Sequence, residues 1–507
     1  MKFNYKFLLP FFLFFYFPYL SFAQNYEIIG EFEQRIEMNS FPSIYYMEQD
    51  KVLSVRVNAI RRGDFWVDFK KGGKVQETEY TKLGDGYEGE KYKRIGINKF
   101  SKKDSIIYIF KQKTNRNLFY FSYQEELEGD KSWQIDISSL TDIQIDDEVV
   151  YRTKLITDYL LAITVFGVEN DSTLYWLLVD IKNEKAINFF STKTKTDFSS
   201  LSDILNNLTT KGDYVLYQEY KHERFSKKEA KKYGKNHSEE IGKHIQTFYI
   251  RKIGTDEVES YQVDQSNYFV GKSQAYLSED GTLQIVGLYS KLPQARLLFR
   301  HMFSFESTNT NDVRGIFVQT FKNGQKISDE KIPLTTDIIK KAKTESNGTI
   351  ALAILVPAPL KKEENKTTLM TLEVTLYSGN QQRKPQYEKI TVCIDQNSKI
   401  TWWDLLHIGR GENDVALIKL ETNEEKQNDE KYTTLVVNSD RIEAYKAVCG
   451  ATSNKKFEIP STIKRYKYVT MQPFMNEEND VYALYSRGKK HILVKLNTGK
   501  TFKEILD

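Results

Sequence analysis

Two groups of basic residues are the feature of this sequence with the clearest chemistry. They are Lys227, Lys228, Lys231 and Lys232, followed further along the chain by Arg296, Arg300 and His301. Closely spaced cations attract acidic partners over a range that shortens as the salt concentration rises. We therefore expect a binding face for an acidic glycan, an envelope component or an acidic protein. For any single run of charge, a solvated helix surface is the simpler alternative.

Histidines offer the best case for a metal site. His237 and His244 are seven residues apart, near Glu240, so a helix would bring them to one face. The sequence has no HExxH pattern and no tight ligand cluster, which structural and catalytic zinc sites require. We expect no metal-binding residues.

Motifs for catalysis or cofactor binding are equally weak. Gly499-Lys500-Thr501 imitates the end of a phosphate-binding loop, but Val494 stands where the opening glycine belongs. The chain has no GxSxG, CxxC or calcium-loop pattern. We expect no catalytic or cofactor-binding residues. The alternative is a carbohydrate-active enzyme, a glycoside hydrolase or lyase, with carboxylates at the mouth of a central channel.

The first residues of the chain have the order of a secretory signal peptide. Lys2 and Lys6 precede an apolar run over residues 7–19, and small residues lead to Ala23 and Gln24. We expect residues 1–23 to be removed and 24–507 to be exported to the periplasm or the outside, which disfavours a nucleic acid partner. Gln24 replaces the cysteine of a lipoprotein, so no lipid anchor is expected.

A repeated turn signal sets the fold class. Asp or Asn precedes an alternating apolar strand at eight places: Asp50, Asp104, Asp158, Asp213, Asp280, Asn347, Asp414 and Asp480. The intervals are 54, 54, 55, 67, 67, 67 and 66 residues. Each interval also holds a hairpin signal such as Asn323-Gly324, which favours the positive φ angles of a tight turn. Each repeat therefore predicts about four antiparallel strands, with the Asp or Asn between the first and second.

Four-stranded sheets in such an array predict an all-β fold, a β-propeller of about eight blades. Seven blades is the alternative, because residues 26–35 could complete the last sheet. We expect residues 24–507 to form a single propeller domain.

Short segments also resemble known propellers. Leu283–Ser290 and Arg314–Phe317 resemble a blade motif of uncharacterised secreted β-propeller proteins of Bacteroidota, and Ser278–Thr282 resembles a turn of periplasmic Tol-type propellers. The leader sequence and the Lys-, Asn-, Ile- and Tyr-rich composition are similar to those of exported Bacteroidota proteins. The resemblance implies the fold and an exported location, and it implies no activity.

Three long insertions are predicted between second and third strands, at 221–244, 290–314 and 357–367. Basic residues outnumber acidic ones in each, eight to four, four to two and three to two. Loops of one type emerge on one side of a propeller, so we expect a basic insertion face there, although loop drift would also explain the lengths.

Three other residue groups have structural expectations. Trp402, Trp403 and His407 fall on a predicted first strand near the channel, where core packing is the preferred role over sugar stacking. Cys393 and Cys449 fall on predicted outer strands of successive repeats, which diverge beyond bridging distance. We expect two free, buried thiols.

The leader gives the first testable prediction. We expect the exported protein to begin at Gln24, because the small residues before it suit signal peptidase. Intact-mass measurement and N-terminal sequencing of the secreted protein test this. A chain that starts at Met1, or that remains with the membrane fraction, would contradict it.

Overall fold

The structure is a computed structural model that describes most of the strand-forming part of the chain. The described residues are 26–33, 43–47, 52–59, 63–69, 75–78, 92–99, 106–115, 117–124, 131–143, 145, 150–157, 159–166, 173–193, 208–233, 241–278, 280–291, 294–295, 313–338, 340, 349–355, 368–377, 386–410, 416–420, 432–437, 442–457, 461–468, 474–475 and 480–496. The predicted leader lies outside them. Within this part of the chain, no helix is long and apolar enough to cross a membrane.

The described residues form eight antiparallel sheets, which we number 1 to 8 along the chain. Sheet 1 contains β2 (Ser43–Met47), β3 (Val52–Ala59), β4 (Gly63–Phe69) and β5 (Val75–Thr78). Sheet 2 contains β6 (Tyr92–Lys99), β7 (Ile106–Gln112), β8 (Leu118–Gln124) and β9 (Lys131–Asp136). Sheet 3 contains β10 (Val150–Thr157), β11 (Leu160–Phe166), β12 (Thr173–Asp180) and β13 (Lys185–Lys193). Sheet 4 contains β14 (Thr209–Lys211), β15 (Tyr214–Arg224), β16 (Ile241–Lys252) and β17 (Val258–Gln262).

The remaining sheets follow the same order, except that the last one includes the first strand of the chain. Sheet 5 contains β18 (Phe269–Leu277), β19 (Leu283–Ser290), β21 (Val313–Lys322) and β22 (Gln325–Pro333), while β20 (Gln294–Ala295) joins sheet 4. Sheet 6 contains β23 (Thr349–Leu355), β24 (Thr368–Tyr377), β25 (Gln386–Ile394) and β26 (Ile400–Arg410). Sheet 7 contains β27 (Ala416–Leu420), β28 (Tyr432–Val437), β29 (Ile442–Val448) and β30 (Ala451–Phe457). Sheet 8 contains β31 (Lys467–Tyr468), β32 (Phe474–Met475), β33 (Val481–Arg487), β34 (Lys490–Leu496) and β1 (Tyr26–Glu33).

This arrangement is the predicted β-propeller. First strands of successive sheets are in contact, as between β6 and β10 and between β18 and β23. The pairing of β1 with β34 completes sheet 8, as expected for residues 26–35, and the described residues still form eight sheets, so they make eight blades and not seven. The sheets do not close into a complete ring in this structure.

Strand burial explains why the sheets stack. In β11, Leu161, Ile163 and Val165 pack with sheet 2, whereas Leu160 and Ala162 pack with sheet 4. Successive side chains of a strand point to opposite faces, so a strand with apolar residues at every position must be covered on both sides. The outer strand β9 instead alternates exposed and buried residues.

Local turn chemistry fixes the hairpins within each sheet. Asn323 and Gly324, between β21 and β22, have φ angles of 50° and 75°. Two successive positive φ angles define the type I′ turn that Asn-Gly predicts.

The repeat assignment is correct for six of the eight turn residues and wrong for two. Asn347 and Asp414 precede the first strands of sheets 6 and 7 instead of following them. The cause is a tight turn at Asp395, whose side chain accepts hydrogen bonds from the amides of Asn397 and Lys399 at 2.9 Å each. This turn folds β26 back onto β25, so β26 is the fourth strand of sheet 6.

Two consequences follow from this shift. Trp402 and Trp403 lie on an outer strand and not beside the channel, and Trp403 packs against the core between sheets 5 and 6. The insertion at 357–367, itself outside the described residues, connects the first and second strands of its sheet. Only 221–244 and 290–314 join second to third strands, as expected.

The expectation of free thiols is also wrong. Cys393 lies on β25 and Cys449 directly after β29, so both are one strand further inward than predicted. Their Cα atoms are 5.6 Å apart and the residues form a disulfide, within the usual range for such bonds. Tyr445 donates a hydrogen bond to Asp404 at 2.7 Å across the same pair of sheets.

The disulfide yields a stability prediction. The Cys393→Ser/Cys449→Ser variant should lose about 2–4 kcal/mol of unfolding free energy, because the bond closes a long loop and constrains the unfolded chain. Urea unfolding of both proteins measures the loss. Thiol titration of the denatured, unreduced wild-type protein is the control, and two reactive thiols would contradict the bond.

Candidate binding site

The candidate site is built on an overlong hairpin in sheet 4. β15 and β16 pair continuously from Tyr214 opposite Lys252 to Arg224 opposite Gly242. β14 pairs only with residues 214–216, and β17 only with 247–251. The distal half of the hairpin therefore extends beyond the other two strands. Residues 221–224 and 241–244, at the two ends of the predicted insertion, are therefore strand.

A short helical segment at the tip of the hairpin carries the predicted lysines. The helix Lys227–Ala230 continues into a 3₁₀ turn, Lys231–Tyr233, and we call residues 227–233 the basic turn. Its four lysines are Lys227, Lys228, Lys231 and Lys232, and all are exposed.

The acidic residue of the basic turn is held by a capping box. Ser226 accepts a hydrogen bond from the Glu229 amide, and the Glu229 carboxylate accepts one from the Ser226 amide at 2.9 Å. Hydrogen bonds from Ser226, with the charges of Lys232 and Lys243, lower the pKa of Glu229. Capping therefore fixes the turn and holds its single carboxylate at the helix start.

The second insertion contacts the first. β20, at the start of the 290–314 segment, pairs with β16 at Ile241 and Gly242. Phe225, at the base of the basic turn, packs edge-on against Phe269 with ring centroids 6.0 Å apart. The predicted site residues Arg296, Arg300 and His301 lie outside the described residues.

A cavity of about 440 Å³ lies beside the basic turn. One side is the distal hairpin and the other is the connection from β17 to β18; the lining includes Glu223, Lys243, Ile245, Gln262, Asp264 and Ser266. Lys243 links the cavity to the basic turn, because it lines the cavity and its charge acts on Glu229.

The connection that forms the second wall is held from sheet 5. Gln319, fully buried, accepts a hydrogen bond from the Asp264 amide at 3.0 Å and donates to the Asp264 carbonyl at 2.8 Å. It also donates to the Tyr268 hydroxyl at 2.8 Å, which in turn donates to Asp329 at 2.8 Å. Buried, satisfied networks of this kind give a backbone segment one conformation.

Asp264 itself is held as a carboxylate. Lys326 and Ser266 donate hydrogen bonds to it, and these lower its pKa well below the ordinary value. A carboxyl group with so low a pKa is a poor proton donor at neutral pH.

The hairpin is attached to sheet 5 by a second buried polar contact. Gln218 donates to the Gln246 side chain at 2.8 Å, and Ser273 on β18 donates to the same oxygen. On the other face of the hairpin, Tyr249 donates to Glu219 at 2.5 Å, and burial and this contact raise the pKa of Tyr249. The hairpin is therefore fixed along its length.

Neither the histidine pair nor the cavity was located by sequence in the form that the structure has. Opposite His244 in the strand register lies His222, whereas His237 is outside the described residues. No group of three metal-ligating side chains occurs among the residues that the structure describes. Sequence analysis did not identify the cavity, because the turn-forming residues 264–266 carry no signal for the hairpin that faces them.

Searches for similar proteins returned structures alone. Scans against protein-family models and curated protein sequences found no match. The chain is similar to the Vanderwaltozyma polyspora Nup133 β-propeller domain, with 8% identity, coverage of 93% of this chain and 100% of that one, and a TM-score of 0.34.

Two further structures are similar. One is the β-propeller domain of the Pyrococcus furiosus Trilobed protease, with 10% identity, coverage of 83% and 100%, and a TM-score of 0.32. The other is the polysaccharide lyase Uly1, with 9% identity, coverage of 80% and 89%, and a TM-score of 0.36. These likenesses concern the fold alone.

The Asp264 ion pair predicts a pH dependence of stability. Because its pKa is lowered by folding, the ionised carboxylate stabilises the protein above the unfolded pKa of about 3.9, and this contribution is lost as the pH falls through the folded pKa. Asp264→Asn should lower the unfolding free energy at pH 7, by an amount that shrinks below about pH 4. Urea unfolding at several pH values measures this, with Asp142→Asn as an exposed control. An Asp264→Asn deficit that is constant with pH would contradict the assignment.

Proposed function

We propose that the protein is an exported, non-catalytic binding module that recognises a polyanionic partner through its insertion face. The observation that carries this is the basic turn: four exposed lysines on a capped segment whose one carboxylate is held in the cap. The turn stands at the tip of a hairpin to which the second insertion is strand-paired. The partner class is an acidic glycan, an envelope component or an acidic protein.

Electrostatics supports a role in capture more than in catalysis. Clustered surface cations raise the encounter rate of an oppositely charged partner, and salt screens the attraction over about 8–10 Å. The formal net charge of the chain is only +4, so attraction depends on local concentration of charge at the turn. A rigid support helps, since fewer side chains and loops need to be ordered on binding.

The alternative function, a carbohydrate-active enzyme, finds less support at this site. Glycoside cleavage by two carboxylates needs one that is protonated and donates to the leaving group. Asp264 is held ionised by Lys326. Glu223, the other carboxylate of the cavity, lies opposite Lys243 in the strand register. The cavity is thus better suited to hydrogen bonding than to acid catalysis.

Charge reversal within the basic turn tests the proposal. Lys231→Glu/Lys232→Glu should weaken binding to immobilised heparin, pectate or poly-L-glutamate by about tenfold at low salt and by less at high salt. Biolayer interferometry across a salt series measures both effects.

Lys182→Glu/Lys185→Glu is the matched control, with the same charge change. Both lysines are exposed and lie at the turn between β12 and β13, a connection between third and fourth strands. This variant should bind as wild type does. Equal losses in the two variants would show that net charge alone governs binding, and salt-insensitive binding by all three proteins would sink the proposal.

A further inference from the structure

We infer that the cavity beside the basic turn binds an uncharged, hydroxyl-bearing terminal ring of an acidic oligosaccharide, whose anionic units continue across the basic turn. This inference rests on the proposed function and narrows its partner to a glycan. The first step is size: about 440 Å³ falls within the roughly 300–1,000 Å³ of small-molecule pockets.

The chemistry of the lining selects the kind of group that enters. Gln262 and Gln265 offer amide donors and acceptors, Ser266 offers a hydroxyl, and Glu223 and Asp264 are acceptors when ionised. A sugar hydroxyl both donates and accepts, so it suits this mixed set. Among the residues that the structure describes, the apolar lining consists of Ile245 and Val263, which is enough for the C–H face of one ring and too little for a lipid tail.

Charge is divided between the cavity and the basic turn. Two carboxylates, of Glu223 and Asp264, and one cation, of Lys243, line the cavity, so negative charge is in excess there and repels an anionic group placed near the carboxylates. The basic turn, by contrast, presents four exposed lysines. An all-anionic chain would therefore bind the turn and leave the cavity empty. A chain with an uncharged end and anionic units behind it satisfies both.

The position of Lys243 determines which sugar unit of the ligand should carry the first negative charge. It lines the cavity and its charge reaches Glu229 at the start of the basic turn. A carboxylate or sulfate on the second unit would meet Lys243 first and the turn lysines next. An acidic peptide would contact the same lysines. Its terminus is charged, however, so the cavity carboxylates would repel it or Lys243 would attract it, whereas a neutral ring experiences neither force.

Pre-organisation of the cavity favours short ligands. Gln319 holds the Asp264 backbone through two hydrogen bonds, and Gln246 and Ser273 hold the hairpin. Since neither wall must be ordered on binding, a few hydrogen bonds to one ring can yield net affinity.

A cavity-filling variant tests this. Gln262→Trp should weaken binding of a neutral-ended acidic tetrasaccharide by at least about tenfold, because the indole would occupy the space of the ring. Probes are a hyaluronan tetrasaccharide with N-acetylglucosamine at its non-reducing end and a κ-carrageenan tetrasaccharide, with poly-L-glutamate as the non-sugar polyanion. Calorimetry at fixed salt gives the affinities. Gln134→Trp, an exposed glutamine on the outer strand β9, is the matched control.

The affinities of the two glutamine variants either support the inference or overturn it. The inference is supported if Gln262→Trp loses a tetrasaccharide while keeping poly-L-glutamate within about twofold, and if Gln134→Trp keeps both. It is overturned if Gln262→Trp binds tetrasaccharides as wild type does, or if wild type binds neither tetrasaccharide more tightly than poly-L-glutamate. In both of those cases a loss in Lys231→Glu/Lys232→Glu would leave the proposed function standing. Tight poly-L-glutamate binding alone would indicate an acidic protein partner.

Discussion

The structure depends on one constraint: central strands such as β11 and β12 are apolar on both faces and must be covered by two neighbouring sheets. β11 shows it most plainly, because alternate residues of the same strand belong to the core with sheet 2 and the core with sheet 4. Burying apolar surface contributes about 25 cal/mol per Å², and an isolated blade would leave both of its apolar faces in water. The stack of sheets follows from this requirement, and no single central core is needed.

The same constraint decides where a site can form. Strands sandwiched between sheets have few side chains left for a ligand, so variation is confined to the connections and the strand ends. The β15–β16 hairpin uses that freedom by extending past β14 and β17. Polar contacts then replace apolar packing where the hairpin leaves the stack. Gln218, Gln246 and Ser273 form one such contact, and Gln319 and Asp264 form another. These hydrogen bonds hold the two cavity walls in place.

Most of the fold could be predicted from the sequence, because each repeat is specified by residues that act locally in turns and strands. A turn residue followed by an alternating strand needs no knowledge of distant contacts, and Asn323-Gly324 specifies its own hairpin. The failure in sheets 6 and 7 has a local cause too: the turn at Asp395 has no Gly, yet its side chain closes it. The prediction of two free cysteines was wrong for the same reason, because it placed both residues one strand too far out. The cavity could not be predicted, because it forms between the β15–β16 hairpin, which carries Lys243, and the separate β17–β18 connection, which carries Asp264.

The basic turn illustrates why local arrangement matters more than totals. Its lysines are a short run that usually signifies only a solvated surface. Three structural facts change that interpretation: capping engages the single carboxylate, strand pairing brings the second insertion alongside, and a polar cavity opens next to Lys243. Asp264 adds a further restriction, because the ion pair with Lys326 keeps it charged and makes it an acceptor of hydrogen bonds instead of a donor of protons. A site with fixed walls, carboxylates inside and exposed lysines at its edge is suited to holding a ligand of divided charge, and the low pKa of Asp264 makes that carboxyl group a poor acid for bond cleavage.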